Sequence, residues 1–415
     1  MILKSKLFEN IISLVVLQGF SYIFPLVLVP FLLNKLGVEI YGLVNFAQAI
    51  IIYLGVVISF GFDLSAVKNI VAYRNNLKRI NDIYNSVLII KFSIFMILLA
   101  VLIILAFFVN RIADNFVLFG IWYFSLLGEV LFPTWFYQGI GELKYITKIS
   151  IVIKSVTLFP LLLLIHDEND FLFVPIAYVF SNVFSGIFGM YYAWNKFSMR
   201  FYIPKMNKII YCFRDSLPFF ITKGFQSIYI NSNVIFIGFF IGNAAVGIYS
   251  VAEKLNNAYA AVIAPLIQRV FYPYFLANKN VKRINEIVKI LTVANIVFVF
   301  VLYFVCEPLI RSFVRIDNME IIRTFQYLLL ACGTIVPMLL LGYPYLGALG
   351  RINEANKTIV YASIFHIGVL FLFYLFKVND INVIALLLGC TQLLCIILRV
   401  LKIKKILRLQ CFLKQ

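Results

Sequence analysis

Charged residues lie deep inside several long apolar stretches of this chain. They are Glu129, Lys154, Lys223, Glu253 and Lys254. A charge buried among apolar residues is costly, so each of these residues is a candidate for function. Three of them are lysines, whose ammonium groups bind phosphate and other anions as point charges. The set therefore predicts a binding site for an anionic ligand.

Some of these charges have a structural alternative. Glu129 could form an ion pair with a lysine of a neighbouring helix, and Lys154 could extend its side chain to a membrane surface. Lys91 lies about two helical turns from the predicted cytoplasmic surface, at about 1.5 Å per residue. We expect Lys91 to extend to the lipid headgroups, so it is left out of the site and its replacement by alanine should be nearly silent.

Amide side chains accompany two of the lysines. Asn231 and Asn233 follow Lys223 on one apolar stretch, and Asn256 follows Lys254 on the next. Lys223 and Lys254 are expected to face a central cavity, which these amides would also line. The predicted substrate-binding residues are Lys154, Lys223, Lys254, Glu129, Glu253, Asn231 and Asn233.

The elements that carry these residues follow from composition. The chain has 415 residues, of which 63% are hydrophobic, whereas soluble domains are about 45–50% apolar. The apolar runs are unbroken, which is typical of membrane-spanning helices rather than strands. We predict an all-α polytopic membrane protein with about twelve spans of about 20 residues each. The predicted spans are 8–33, 41–61, 84–109, 116–138, 147–166, 171–194, 214–241, 246–275, 287–306, 322–345, 357–376 and 382–401.

The net charge of +18 has an explanation in this topology. In a soluble protein it would suggest a nucleic-acid partner, but most of the loop lysines and arginines here fall on one side of the predicted membrane. Cytoplasmic loops carry such an excess of basic residues. The acidic loop at 167–170 falls on the other side. The asymmetry predicts that both termini are cytoplasmic and that nucleic acid is not a partner.

An internal repeat divides the chain. Residues 8–47 recur without a gap at 213–252, so that Gly37 matches Gly242 and Gly42 matches Gly247. A weaker match pairs Gly139 with Gly350. Glycines mark tight turns or close helix approaches, so their alignment is informative. We predict two parallel six-helix bundles, residues 1–204 and 205–415, related by a pseudo-two-fold axis along the membrane normal. Substrate would bind between the bundles and be moved by their rocking.

The sequence argues against several other chemistries. It contains no G-x-x-x-x-G-K-[ST] phosphate-binding loop, and its two histidines and six cysteines have no spacing suited to zinc. We therefore expect no cofactor and no metal. A membrane enzyme such as a polysaccharide polymerase would need a large external loop with catalytic residues, and the predicted external loops are short. The chain is predicted not to be an enzyme.

Motifs in both halves resemble the polysaccharide transport family, the Wzx-type O-antigen flippases of the multidrug/oligosaccharidyl-lipid/polysaccharide exporter superfamily. The motifs lie at 17–19, 37–42, 45–49, 60–66, 132–139, 249–254 and 268–273. The resemblance implies a fold similar to that of multidrug exporters with two six-helix bundles. It also implies a place in the bacterial inner membrane.

The function implied by this resemblance is that of a flippase. The substrate would be an oligosaccharide, an O-antigen or similar repeat unit, on undecaprenyl diphosphate, moved from the cytoplasmic to the periplasmic leaflet. Partners would be this lipid-linked oligosaccharide, membrane lipids and other polysaccharide-assembly membrane proteins. The alternative is a multidrug or cation antiporter of the same fold. An antiporter would need a deep carboxylate in the first bundle, where Glu9 lies at the mouth of span 1 and Glu129 lies in span 4.

Overall fold

All regular secondary structure of the described residues is helical, which confirms the predicted all-α class. The computed structural model describes the backbone of residues 2–277, 280–314 and 318–412, and the side chains of residues 26–268, 270–277, 280–314 and 318–408. Contacts group the chain into two compact units. The first comprises Met1–Phe20 and Lys35–Ser227, and the second comprises Ser21–Asn34 and Ile228–Gln415.

The first ten α-helices precede a short linker. They are α1 (Ile2–Ser59), α2 (Phe62–Ala72), α3 (Leu77–Phe108), α4 (Asn110–Ala113), α5 (Phe116–Phe124), α6 (Leu126–Leu131), α7 (Thr134–Ile140), α8 (Leu143–Leu158), α9 (Leu161–Leu164) and α10 (Phe173–Phe197), with a 3₁₀-helix at Glu168–Leu172 before α10. In the first unit α10 packs against α5, α6 and α8, while α2 packs against α7. Aromatic side chains such as Tyr84, Trp135 and Phe136 fill the core beside α2 and α3.

Seven further α-helices follow the linker. They are α11 (Met206–Phe240), α12 (Asn243–Leu266), α13 (Tyr272–Ala277), α14 (Val281–Val314), α15 (Met319–Leu340), α16 (Ile352–Leu375) and α17 (Ile381–Phe412), with π-helical segments at Ile267–Phe271 and Leu341–Leu346. In the second unit α15 packs against α12, α14 and α17, and α16 packs against α17. The unit is therefore organised around α15, the most deeply buried of its long helices.

Nine helical stretches of the described residues are long and apolar enough to cross a membrane. One of them, Leu26–Ala72, contains parts of the first two predicted spans, which Gly37 divides. Two long helices, α11 and α12, are not among the nine. They correspond to the seventh and eighth predicted spans and carry five of the seven predicted site residues. The layout of twelve spans in two bundles, divided at residue 204, stays a prediction.

The repeated glycine turn is present in both units. Gly37 has a φ of 69° and interrupts α1, and Gly242 has a φ of 141° and caps the start of α12. Residues with a side chain rarely adopt such positive φ angles, because the Cβ atom would crowd the backbone. The aligned glycines of the repeat therefore both take positive φ angles where one helical segment gives way to the next.

A second turn is also repeated, but in a different register from the predicted one. Gly141 has a φ of 77° and Gly350 a φ of 70°. Their N–H groups donate to the carbonyls of Gln138 and Gly347, at 3.3 and 2.9 Å. Gly350 therefore matches Gly141 in conformation, and its predicted match with Gly139 is wrong. Gly139 and Gly141 match Gly350 equally by residue type, and Gly139 was chosen because the same offset also pairs Pro133 with Pro344 and Thr147 with Thr358.

Candidate functional site

Lys91 and Glu129 form an ion pair inside the first unit. Lys91, on α3, is buried, with only 1% of its surface exposed. Its Nζ atom lies 3.1 Å from Oε1 of Glu129, on α6, and donates a 2.8 Å hydrogen bond to the Glu129 carbonyl oxygen. The prediction that Lys91 extends to the membrane surface is wrong, because its ammonium group has partners within the protein. The alternative of a structural ion pair at Glu129 is confirmed.

Lys223 also has a carboxylate partner. It lies on the first part of α11, where its ammonium group forms an ion pair with Asp63 of α2 and donates a 3.1 Å hydrogen bond to Ser59 Oγ. The side chains of Lys223 and Asp63 remain 36% and 42% exposed. The pair is therefore accessible, and a ligand with more negative charge than one carboxylate could compete with Asp63 for Lys223.

A second group of polar contacts also joins α2 to α11. Lys68 pairs with Asp215 at 2.8 Å, and Asn69 Nδ2 donates to the other oxygen of Asp215 at 2.9 Å. The hydroxyl oxygens of Ser65 and Ser216 are 2.6 Å apart. These bonds fasten the first part of α11 to α2. Asp63 was not among the predicted site residues, although it lies in the first turn of α2, within the motif at 60–66.

The remaining charged residues of the predicted site lie in different units. Lys154 is partly buried on α8 of the first unit, whereas Glu253 and Lys254 are partly buried neighbours on α12 of the second unit. Adjacent residues of an α-helix point about 100° apart, so Glu253 and Lys254 do not share one face. The predicted site residues are thus distributed over both units.

Asn233 belongs to a buried polar network in the second unit. Its Nδ2 donates to the hydroxyl of Tyr249 at 3.0 Å and to the Ile384 carbonyl at 3.1 Å. Its Oδ1 lies 3.0 Å from Nε2 of His366, whose Nδ1 lies 2.7 Å from Thr391 Oγ1. Asn233 and His366 are both fully buried. Such a satisfied network rigidifies the unit, whereas Asn231 on the same helix is partly exposed.

Arg399 is a buried cation that was not among the predicted site residues. Only 3% of its surface is exposed, within α17. Its guanidinium donates to Thr358 Oγ1 at 3.1 Å and to the carbonyl oxygen of Met338. Its position inside the predicted last span, 382–401, could have marked Arg399 as a buried charge.

The nine apolar helical stretches of the described residues, each long enough to cross a membrane, indicate a multi-pass membrane protein. The fold is similar to that of "Lipid II flippase MurJ, inward closed conformation", with a TM-score of 0.75 and 14% identity over 94% of this chain and 87% of that chain. It is also similar to an inward-facing multidrug resistance MATE family transporter of the MOP superfamily. That match has a TM-score of 0.65 and 11% identity, and it covers 95% of this chain and 99% of that chain.

The sequence identifies the family more narrowly. Residues 7–279 match the family described as "Polysaccharide biosynthesis protein", and the chain belongs to this family. The "Putative O-antigen transporter" of Escherichia coli (strain K12) is 24% identical over 290 residues, which are 69% of this chain and 69% of that protein. The predicted resemblance to polysaccharide transporters is confirmed.

Proposed function

We propose that this protein is a flippase for a lipid-linked oligosaccharide. It would move an O-antigen or similar repeat unit on undecaprenyl diphosphate from the cytoplasmic to the periplasmic leaflet of a bacterial inner membrane, by alternating access. The match of residues 7–279 to the polysaccharide biosynthesis family carries this proposal. The name of the Escherichia coli relative supports it. The role is that of a transporter rather than an enzyme, with membrane lipids and other polysaccharide-assembly membrane proteins as partners.

The charges of the diphosphate explain why such a protein would keep lysines in its helices. A diphosphate cannot cross a dry bilayer alone, because burying an unpaired anion costs many kcal/mol. Lys223 is partly exposed beside Asp63, and Lys254 follows Glu253 on α12. In this proposal Asp63 neutralises Lys223 until cargo binds. Lysines also suit release, since an arginine would clamp phosphate with two parallel bonds.

A multidrug or cation antiporter is the second candidate, because solved MATE transporters share the fold. Such an antiporter would need a carboxylate that is able to hold Na⁺ or H⁺. Among the described side chains of the first unit, Glu129 is already paired with Lys91, and Asp63 with Lys223. The side chain of Glu9 lies outside the described residues. A paired carboxylate binds a further cation weakly, because the lysine already supplies the opposite charge. These pairings favour the flippase.

Deleting the gene should remove the surface polysaccharide and cause lipid-linked repeat units to accumulate. The reason is that an oligosaccharide diphosphate left in the cytoplasmic leaflet cannot reach the assembly enzymes outside. Surface polysaccharide would be measured by gel electrophoresis, and lipid-linked intermediates by mass spectrometry of extracted lipids. The native gene on a plasmid is the control. Normal polysaccharide together with raised drug sensitivity in the deletion strain would instead identify an antiporter.

Reporter fusions should show both termini in the cytoplasm. The basic loops set this orientation, since lysines and arginines are retained on the cytoplasmic side. Fusions after Lys35 and Asp167 should be active as periplasmic reporters. Fusions after Lys78 and Lys205 should be active as cytoplasmic ones. The reverse activities at any two of these positions would overturn the orientation.

A further inference from the structure

A basic cavity opens in the first unit, apart from the charged pairs described above. Its volume is about 870 Å³. It lies where the start of α3 meets the linker between α10 and α11. Four basic side chains and one carboxylate line it, together with polar and apolar groups: Leu77, Lys78, Asn81, Asp82, Ser198, Arg200, Tyr202, Ile203, Lys205 and Lys208.

The linker is held in place by amide side chains of α3. Asn85 is fully buried, and its Nδ2 donates to the Arg200 carbonyl at 2.8 Å while its Oδ1 accepts from the Tyr202 N–H at 3.3 Å. Asn81 Oδ1 accepts from the Arg200 N–H at 3.2 Å. These hydrogen bonds hold the backbone of the linker against α3. The cavity therefore has a defined shape.

The single carboxylate of the cavity does not balance its cations. Asp82 is buried and accepts hydrogen bonds from Lys208 and from the Tyr202 hydroxyl. Burial, together with the bond to Asp82, raises the pKa of Tyr202 to about 12, so this hydroxyl stays neutral and donates. Lys208 takes up the charge of Asp82. The remaining basic side chains, Lys78, Arg200 and Lys205, are exposed at the cavity.

The residues around the cavity favour a lipid as its ligand over a soluble anion. Phe201, Ile203 and Met206 are 63%, 77% and 67% exposed, which is unusual for large apolar side chains unless they meet a membrane or a partner. Two long helices, α3 and α11, begin at Leu77 and Met206, beside the cavity, and helix N-termini favour negative charge. Cations beside apolar side chains that can enter a bilayer are the features that recognise anionic lipids.

We propose that this cavity binds the phosphate group of a membrane-lipid headgroup. Lys78, Arg200 and Lys205 would contact the phosphate, while Phe201 and Ile203 would enter the acyl region. With a bulk phospholipid bound, the site goes beyond the proposed transport of cargo, because it would fix the linker between α10 and α11 to the membrane surface. With the carrier lipid bound, the site rests on the proposed function. The phosphate could belong to a bulk anionic phospholipid or to the polyprenyl diphosphate carrier, and the experiment separates these sources.

The test measures lipid binding to the purified full-length protein by native mass spectrometry in detergent. The probes are phosphatidylglycerol, undecaprenyl diphosphate and inorganic diphosphate, each added separately. In the variant Lys78→Ala/Arg200→Ala/Lys205→Ala we expect lipid affinity to fall about a hundredfold, since each basic residue near the surface contributes about a factor of five. In the milder variant Arg200→Ala/Lys205→Ala the lipid affinity should fall about thirtyfold. It keeps the test valid if the triple variant folds poorly.

A matched control removes the same charges elsewhere. The variant Lys282→Ala/Arg283→Ala/Lys289→Ala also lacks two lysines and one arginine, which are exposed on α14. It should bind lipid normally. Selective loss of phosphatidylglycerol in the cavity variants would identify a bulk phospholipid, and selective loss of undecaprenyl diphosphate would identify the carrier. Equal losses in the control, unchanged binding in both cavity variants, or equally tight binding of inorganic diphosphate would overturn the proposal.

Discussion

Replacing Lys91 by alanine is expected to lower the free energy of unfolding by about 2–4 kcal/mol. The substitution removes a buried ammonium group, its bonds to Glu129 and the packing of its stem. Removing one partner of a buried ion pair typically costs about 3–5 kcal/mol, and the partial exposure of Glu129 reduces this value. The effect would be measured as the midpoint of thermal unfolding in detergent, taken from the decrease of the monodisperse peak in size-exclusion chromatography after heating.

Two comparisons separate a structural pair from a lysine that reaches the membrane surface. Lys148, exposed on α8, is the control, and Lys148→Ala should leave the midpoint almost unchanged. The double variant Lys91→Met/Glu129→Gln should be more stable than Lys91→Ala, because it restores the packing and leaves no unpaired charge. If Lys91→Ala unfolds at the same temperature as Lys148→Ala, the ion pair contributes nothing to stability.

Replacing Lys223 or Lys254 by alanine should abolish surface polysaccharide while the protein still inserts into the membrane. In the proposed mechanism each lysine balances charge on the diphosphate, and a buried anion without a cation is strongly destabilised. Lys→Arg should be partly tolerated at both positions, because the charge matters more than the geometry. Each variant would be expressed from the native promoter, and surface polysaccharide and the amount of membrane-inserted protein would be measured in the same cells.

The partner of Lys223 allows a sharper test. If Lys223 acts only by holding α11 to α2, the exchange Asp63→Lys/Lys223→Asp should restore export, because the ion pair is kept with its charges reversed. If Lys223 binds diphosphate, the exchange should not restore it. Lys68→Ala is the control, since Lys68 makes a similar pair on the same helix, and it should export normally. Normal export by both Lys223→Ala and Lys254→Ala would refute the role of the lysines.

The sequence alone determined the all-helical membrane class and the family. Long apolar runs can cross a bilayer only as helices, because each backbone polar group must find its hydrogen bond within the segment. The glycines of the repeat were equally informative. Gly37 and Gly242 adopt backbone angles that a side chain disfavours, so a glycine at these positions predicts the turn. These features depend on local chemistry, which a sequence displays directly.

The partners of the buried charges were decided only by the tertiary structure. Lys91 and Glu129 lie on different helices, and Lys223 and Asp63 are far apart in the chain. An apolar run shows that a helix is buried, but the face it turns to each neighbour depends on the packing of all the helices together. The sequence therefore predicted that Lys91 lies within a membrane span, but it could not predict that Lys91 is buried against Glu129.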